Sequence, residues 1–234
     1  MKFGVEFGDQ AEVMPPRTEE GYFFAPPAVD VVRLRLQELG YRNIEFPFPY
    51  VQTIYFAELS GKTPQKGHVR LRRYSSKIGS TFNILGSDYY LEGKVSGGSK
   101  ERIVLPVDVP MEILVNPNSR DVIRGVLPNI HTLLADAGPM FPVVATEWPR
   151  EHYILDELNR ATVDTELIYF GFLPGENVGH PMGTAEEHRI EFKSLNGMNP
   201  TMGIAGLNLI PIPRKWHEEV VRSMYRRWLA DLRK

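Results

Sequence analysis

Hydrophobic and polar residues alternate with a period of two in several short runs of this chain, and recur with a period near four in its last stretch. Period two predicts strands, because successive side chains point to opposite faces. The predicted strands are Tyr50–Phe56, His68–Tyr74, Tyr89–Val95, Arg102–Val107, Arg160–Phe170 and His188–Leu195. Near the C-terminus Trp216, Val220, Met224, Trp228 and Leu232 form an apolar stripe, which predicts a helix from Pro213 to about Leu232 with arginines on its flanks. A first helix is expected from Pro27 to Leu39, ending at Gly40, and a short one over Val122–Ala137, where Ile123, Val126, Leu127, Ile130, Leu133 and Leu134 fit the helical period. The 19 prolines and 20 glycines are spread along the chain and punctuate short segments, as many strands joined by loops require. No repeat or linker divides it. The expectation is an α+β chain with one β-rich domain over residues 1–234, carrying peripheral helices and a C-terminal helix.

Charge sharpens this picture. In Val69-Arg70-Leu71-Arg72-Arg73-Tyr74 the residues Arg70 and Arg72 share one face, and Val69 and Leu71 the other. Glu92 and Lys94 repeat the arrangement, as do Glu191 and Lys193. Arg160, Thr162, Asp164 and Glu166 fall on one side of their run. A half-buried strand with a solvated outer face explains any one of these segments. Four such segments, with paired charges of both signs, also suit a sheet that closes on a polar lumen. There a polyanion would satisfy the bases and a metal the glutamates. On that reading Arg70, Arg72, Glu92, Lys94, Arg160, Glu191 and Lys193 face one shared interior.

Composition limits the alternatives. The 234 residues are 42% hydrophobic and 24% charged, ordinary for a globular protein, and the formal net charge is -2. The molecule as a whole does not attract anions, so a basic site must be a local concentration of charge. There is no cysteine, which removes disulfides, thiolate metal sites and cysteine nucleophiles. The start Met1-Lys2-Phe3-Gly4-Val5-Glu6 lacks a signal-peptide pattern, and no apolar run is long enough to span a bilayer; a cytoplasmic, soluble protein is expected.

The segments also resemble a family. Val51-Gln52-Thr53-Ile54-Tyr55-Phe56 followed by Val69-Arg70-Leu71-Arg72-Arg73-Tyr74 resembles the T-x-Y-F-D and V-R-x-R-x-Y signature of VTC domains. These are the catalytic domains of polyphosphate polymerases in the triphosphate-tunnel (CYTH-like) superfamily. Leu91-Glu92-Gly93-Lys94 is similar to the family's L-E-x-K strand. Trp148-Pro149-Arg150 and Asn159–Leu167 are similar to its Y-x-R and V-R-x-S-x-D-x-x-L segments, and Arg189-Ile190-Glu191-Phe192-Lys193 to its final L-E-x-K. The matches keep the family's order from about residue 50 to 193.

The resemblance implies a closed antiparallel β-barrel, the triphosphate tunnel. It implies a metal-dependent polyphosphate polymerase that transfers the terminal phosphate of ATP to a growing chain. Arg70, Arg72 and Lys193 would be catalytic; Lys94, Arg150, Arg160, Lys100 and Arg102 would bind substrate; Glu191 and Glu92 would hold Mn2+ or Mg2+. Phosphoryl transfer asks mainly for positioning and charge neutralisation, which such a set supplies. Gly8 and Met224 stand where the family carries basic residues, and Ala57 where it carries an aspartate. These departures keep two other classes open: a tunnel-type triphosphate hydrolase, and a non-catalytic polyphosphate or inositol-phosphate binding module. Gly61-Lys62-Thr63 is not a P-loop, since Phe56 replaces its first glycine, and His180 and His188 match no zinc spacing. The arginines from Arg222 onward read as a solvated helix flank, so no nucleic-acid partner is expected.

Overall fold

The period-two runs form strands that join edge to edge. In a computed structural model of the protein the described residues are 12–14, 18–58, 69–75, 82–83, 89–94, 100–104, 109–125, 127–173, 175–185, 187–195 and 207–212, with 223, 226, 228 and 230. The strands are β1 (Glu12–Met14), β2 (Thr18–Phe24), β3 (Arg42–Ile44), β4 (Tyr50–Glu58), β5 (Val69–Ser75), β6 (Phe82–Asn83), β7 (Tyr90–Lys94), β8 (Lys100–Val104), β9 (Met140–Ile154), β10 (Asn159–Asp164), β11 (Ile168–Gly171), β12 (Val178–Thr184), β13 (His188–Ser194) and β14 (Ile210–Pro211). The helices are α1 (Val29–Glu38), α2 (Val109–Val115) and α3 (Pro128–Leu134).

The long strand β9 organises the sheet. Its first part pairs with β4 on one edge and β11 on the other, while its last five residues pair with β10 and its last three also with β3. One branch runs from β4 through β5, β7 and β8 to β1; the other runs from β10 through β13 and β2 to β14. Register carries one set of side chains along a common face: Thr53 opposite Arg72, Arg70 opposite Glu92, Arg150 opposite Asp164, Asp164 opposite Arg189, and Arg160 opposite Lys193.

The other face is largely apolar and covered by helices, with Gln52 joining Arg73 to Glu147 on it. Ile54, Leu71, Leu91, Ala145 and Phe170 pack with Ile113, Leu114, Ile130 and Leu134 of α2 and α3. Tyr153, Ala161, Val163, Ile190 and Phe192 pack with Val32 and Leu36 of α1. No helix among these covers the charged face, yet Arg72, Glu92, Arg150 and Asp164 on it are each under a tenth exposed. Charged side chains stay buried only when paired and enclosed. The sheet therefore curves around its polar face, which becomes a lumen.

Several expectations change. The barrel is not closed by hydrogen bonds among the described residues, because the strand path ends at β1 and β14. Those end strands are short, and Pro211 in β14 has no N–H to donate. The run Arg160–Phe170 is two strands, β10 and β11: Glu166 sits between them at φ 50 and is exposed, so it does not join Arg160, Thr162 and Asp164. The helix expected over Val122–Ala137 is a 3-10 turn over Pro117–Ile123 and then α3. Proline disfavours helical backbone in the residue before it, and Leu127 is at φ -130, ψ 68. Of the C-terminal helix, Ser223, Arg226, Trp228 and Ala230 are helical; Met224, like Gly8, lies outside the described residues.

Candidate functional site

On the first branch the lumen is built around one carboxylate. Glu92, 1% exposed, accepts from Arg70 Nε at 2.7 Å and lies 3.5 Å from Arg72 Nη1. Arg72 Nε also donates to Thr53 Oγ1 at 3.2 Å, which fixes the guanidinium against β4. Burial lowers the Arg72 pKa, and the like charges of Arg70 and Arg150 add to it; burial also opposes Arg70, but Glu92 outweighs it and raises that pKa. The single carboxylate therefore serves Arg70 better than Arg72. Two guanidiniums sharing one acid leave an excess of positive charge.

On the second branch Asp164 is held between two arginines. Arg150 donates through Nε at 2.6 Å and Nη2 at 2.8 Å, and Arg189 donates through Nε at 2.8 Å and again through Nη2. Both guanidiniums also lie over the Trp148 ring, at 5.5 and 5.3 Å. Burial alone would raise the Asp164 pKa, but Arg150 and Arg189 carry it well below the usual carboxylate range. Two positions along β13, Glu191 accepts from Lys193 Nζ at 2.6 Å. Burial opposes ionisation of Glu191 too, and Lys193, Arg189 and Arg150 overcome it and lower its pKa. Arg70, Arg72, Arg150, Arg160, Arg189 and Lys193 thus stand against Glu92, Asp164 and Glu191, with Glu19 opposite Lys193 at the β2 edge.

Neutral polar groups complete the face. Thr146 Oγ1, Trp148 Nε1, His152 Nε2, Thr162 Oγ1 and Tyr169 OH are buried without a hydrogen-bond partner. Buried polar atoms are rarely left this way unless water or a ligand meets them. The segment between β3 and β4 folds against the same face: Phe46 lies 4.9 Å from the His152 ring and 6.1 Å from that of Tyr74. At the β11 end Trp228 of the C-terminal segment packs so closely on Gly171 that a Cβ there would sit 2.7 Å from its ring.

Of the expected site residues, the structure brings Arg70, Arg72, Glu92, Arg150, Arg160, Glu191 and Lys193 onto one face. Lys94 pairs with Lys100 and Glu92 with Arg102 in backbone register, and the side chains of Lys94, Lys100 and Arg102 lie outside the described residues. Sequence reasoning passed over Arg189, His152 and the anchoring part of Asp164. The spacing Arg189, Glu191, Lys193 carried a signal for the first; His152 had none, because β9 was not expected as a strand. As to metal, no group of three acidic or histidine side chains converges among the described residues. Glu92 is enclosed by two guanidiniums and is a poor ligand; Glu191 offers one ionised carboxylate, which suits a hard ion that takes its other oxygens from phosphate.

No model of a known protein family matches the sequence, and no curated protein matches it. Among solved structures the chain is similar to a candidate adenylyl cyclase of Hippeastrum that shows a dominant triphosphatase activity, with 16% identity and a TM-score of 0.53 over 88% of this chain and 95% of that one. The chain has the triphosphate-tunnel fold. Candidate adenylate cyclases of Vibrio parahaemolyticus and Bacillus halodurans overlap more loosely, with 12% and 13% identity, TM-scores of 0.46 and 0.45, 89% and 92% of this chain covered, and 99% and 90% of theirs. The likeness is to the tunnel fold at large, and not to VTC domains in particular. In a tunnel fold the charged face described above is the tunnel wall.

Proposed function

We propose that the lumen binds the phosphates of a triphosphate and that the protein hydrolyses the terminal phosphoanhydride. The observation that carries this is the enclosed excess of arginine and lysine over carboxylate on one face among the described residues, in which Arg70 and Arg72 share Glu92 and Arg150 and Arg189 share Asp164. Guanidinium forks match phosphate oxygens in geometry and charge. In this reading Arg70, Arg72 and Lys193 neutralise the charge that develops on the transferring phosphoryl group. Arg150, Arg160 and Arg189 hold the rest of the chain, with Lys94, Lys100 and Arg102 extending the basic track. Manganese or magnesium would be held by Glu191 and would neutralise phosphate charge. The hydrolytic reading is favoured over the polymerase because the Hippeastrum protein of this fold shows a dominant triphosphatase activity.

Polymer synthesis is the second reading, favoured by the order of the VTC-like segments from Val51 to Lys193. Product analysis after incubation with ATP or inorganic triphosphate and manganese or magnesium separates the readings. Free phosphate supports hydrolysis, long polymer supports the polymerase, and binding without consumption of triphosphate leaves a binding module. A protein that neither binds nor consumes triphosphate overturns all three.

A further inference from the structure

We propose that His152 and Thr162 form a neutral contact point in the basic lumen, which hydrogen-bonds a bound phosphate chain and takes up a proton from solvent at His152 as the chain binds. This rests on the reading of the lumen as a phosphate site. The two residues are register partners on β9 and β10, and both His152 Nε2 and Thr162 Oγ1 are buried without a hydrogen-bond partner. Thr162 is 3% exposed. One face of the imidazole is covered by Phe46 at 4.9 Å. Here two unpartnered polar side chains lie side by side, with Arg150, Arg160 and Lys193 around them.

The charges that act on His152 come from three strands. Arg150 lies on its own strand, Arg160 and Asp164 on β10, and Lys193 on β13. Glu191 of β13 stands opposite Thr162, and on the β3 side Ile44 faces His152 with Arg42 beyond it, opposite Ile154. Tyr74 lies behind Phe46. Burial and then Arg150 and Lys193 push the imidazole pKa down to about 3, against the pull of Asp164, so His152 is neutral in the empty lumen at pH 7. A phosphate chain reverses that field, because its oxygens pair with the same cations and accept from a protonated ring. The proton comes from the buffer, and no bond to the ligand is made or broken.

The probe is inorganic tripolyphosphate without metal, titrated calorimetrically near pH 6.5 in two buffers of different ionisation enthalpy. The wild type should take up more protons than His152→Gln, and its affinity should fall more steeply as pH rises from 6 to 8. Thr162→Val should bind several-fold more weakly with the proton count unchanged. The His152 ring resonances of the wild type should move toward the imidazolium position on saturation, a readout that needs no variant. Tripolyphosphate binding with equal proton uptake in wild type and His152→Gln, or with unmoved His152 resonances, overturns the inference and leaves the phosphate lumen standing. Failure of the wild type to bind tripolyphosphate overturns the lumen itself.

Discussion

Asp164 shows what a single residue contributes to this wall. Its carboxylate takes four donated hydrogen bonds from Arg150 and Arg189, all on the buried face. Asp164→Asn takes from two guanidiniums the carboxylate both bond to, and such breaks of buried pairs lose about 3–5 kcal/mol. We expect a lower urea midpoint for this variant, with tripolyphosphate restoring more stability to it than to wild type, since the anion replaces the missing charge. The pH dependence of the ligand-free protein separates Asp164 from His152. The folded Asp164 pKa lies below its unfolded value, so its contribution is full above about pH 4 and is lost only in stronger acid. His152 titrates near 3 when folded against 6.5 as a free group, so the unfolded chain binds the extra proton between those values. Stability should therefore fall as pH drops from 6.5 toward 4, and His152→Gln should flatten that slope in urea titrations.

At the scale of elements, Arg120 ties the parts of the helical cover to one another. It is 3% exposed, and its guanidinium donates to the carbonyls of Ile113 and Leu114 in α2 and of Leu134, Ala137 and Gly138 at the end of α3. Helix ends leave carbonyls without intrahelical donors, and a buried cation there is doubly favourable. Arg120→Met should lose at least about 3 kcal/mol, on the order of two charge-assisted hydrogen bonds. Triphosphate binding by the folded fraction should stay unchanged, because Arg120 lies on the far side of the sheet. Gly171 plays the matching part for the C-terminal segment. Its missing side chain admits the Trp228 ring, with Met182 Sδ 2.8 Å from where a Cβ would stand. Gly171→Ala should displace Trp228, read as a red shift in tryptophan emission and earlier proteolysis of the C-terminal segment.

For the whole molecule, the net charge of -2 and the basic lumen coexist because the cations are gathered on one face. Anion binding should therefore weaken steeply with salt while the folded state changes little. Arg70→Ala should weaken tripolyphosphate binding by about tenfold or more, the loss of one charge-assisted contact. Glu191→Gln should abolish metal-dependent turnover of triphosphate and leave anion binding largely intact, since it keeps the shape and removes a ligand charge. If both variants lose binding and turnover together, the division of the lumen into anion-holding bases and a metal-holding acid is wrong.

The sequence by itself determined which faces of β5, β7, β10 and β13 carry charge, because a strand's alternation is local and Arg70, Arg72, Glu92, Arg160, Glu191 and Lys193 follow it. It determined the first helix nearly to the residue, since Gly40 at φ 86 ends it by a local rule. It did not determine β9. That strand holds Pro142 and Pro149, which strands tolerate only at edges and irregularities; in the fold one lies at the bulge opposite Phe56 and the other where the strand changes partners. With β9 unseen, the alternation of Thr146, Trp148, Arg150 and His152 into the lumen was unseen too. Only tertiary structure decided that the charged face is enclosed rather than solvated, because local alternation is the same in both cases. Curvature of the whole sheet, with helices covering the opposite face, decides between them.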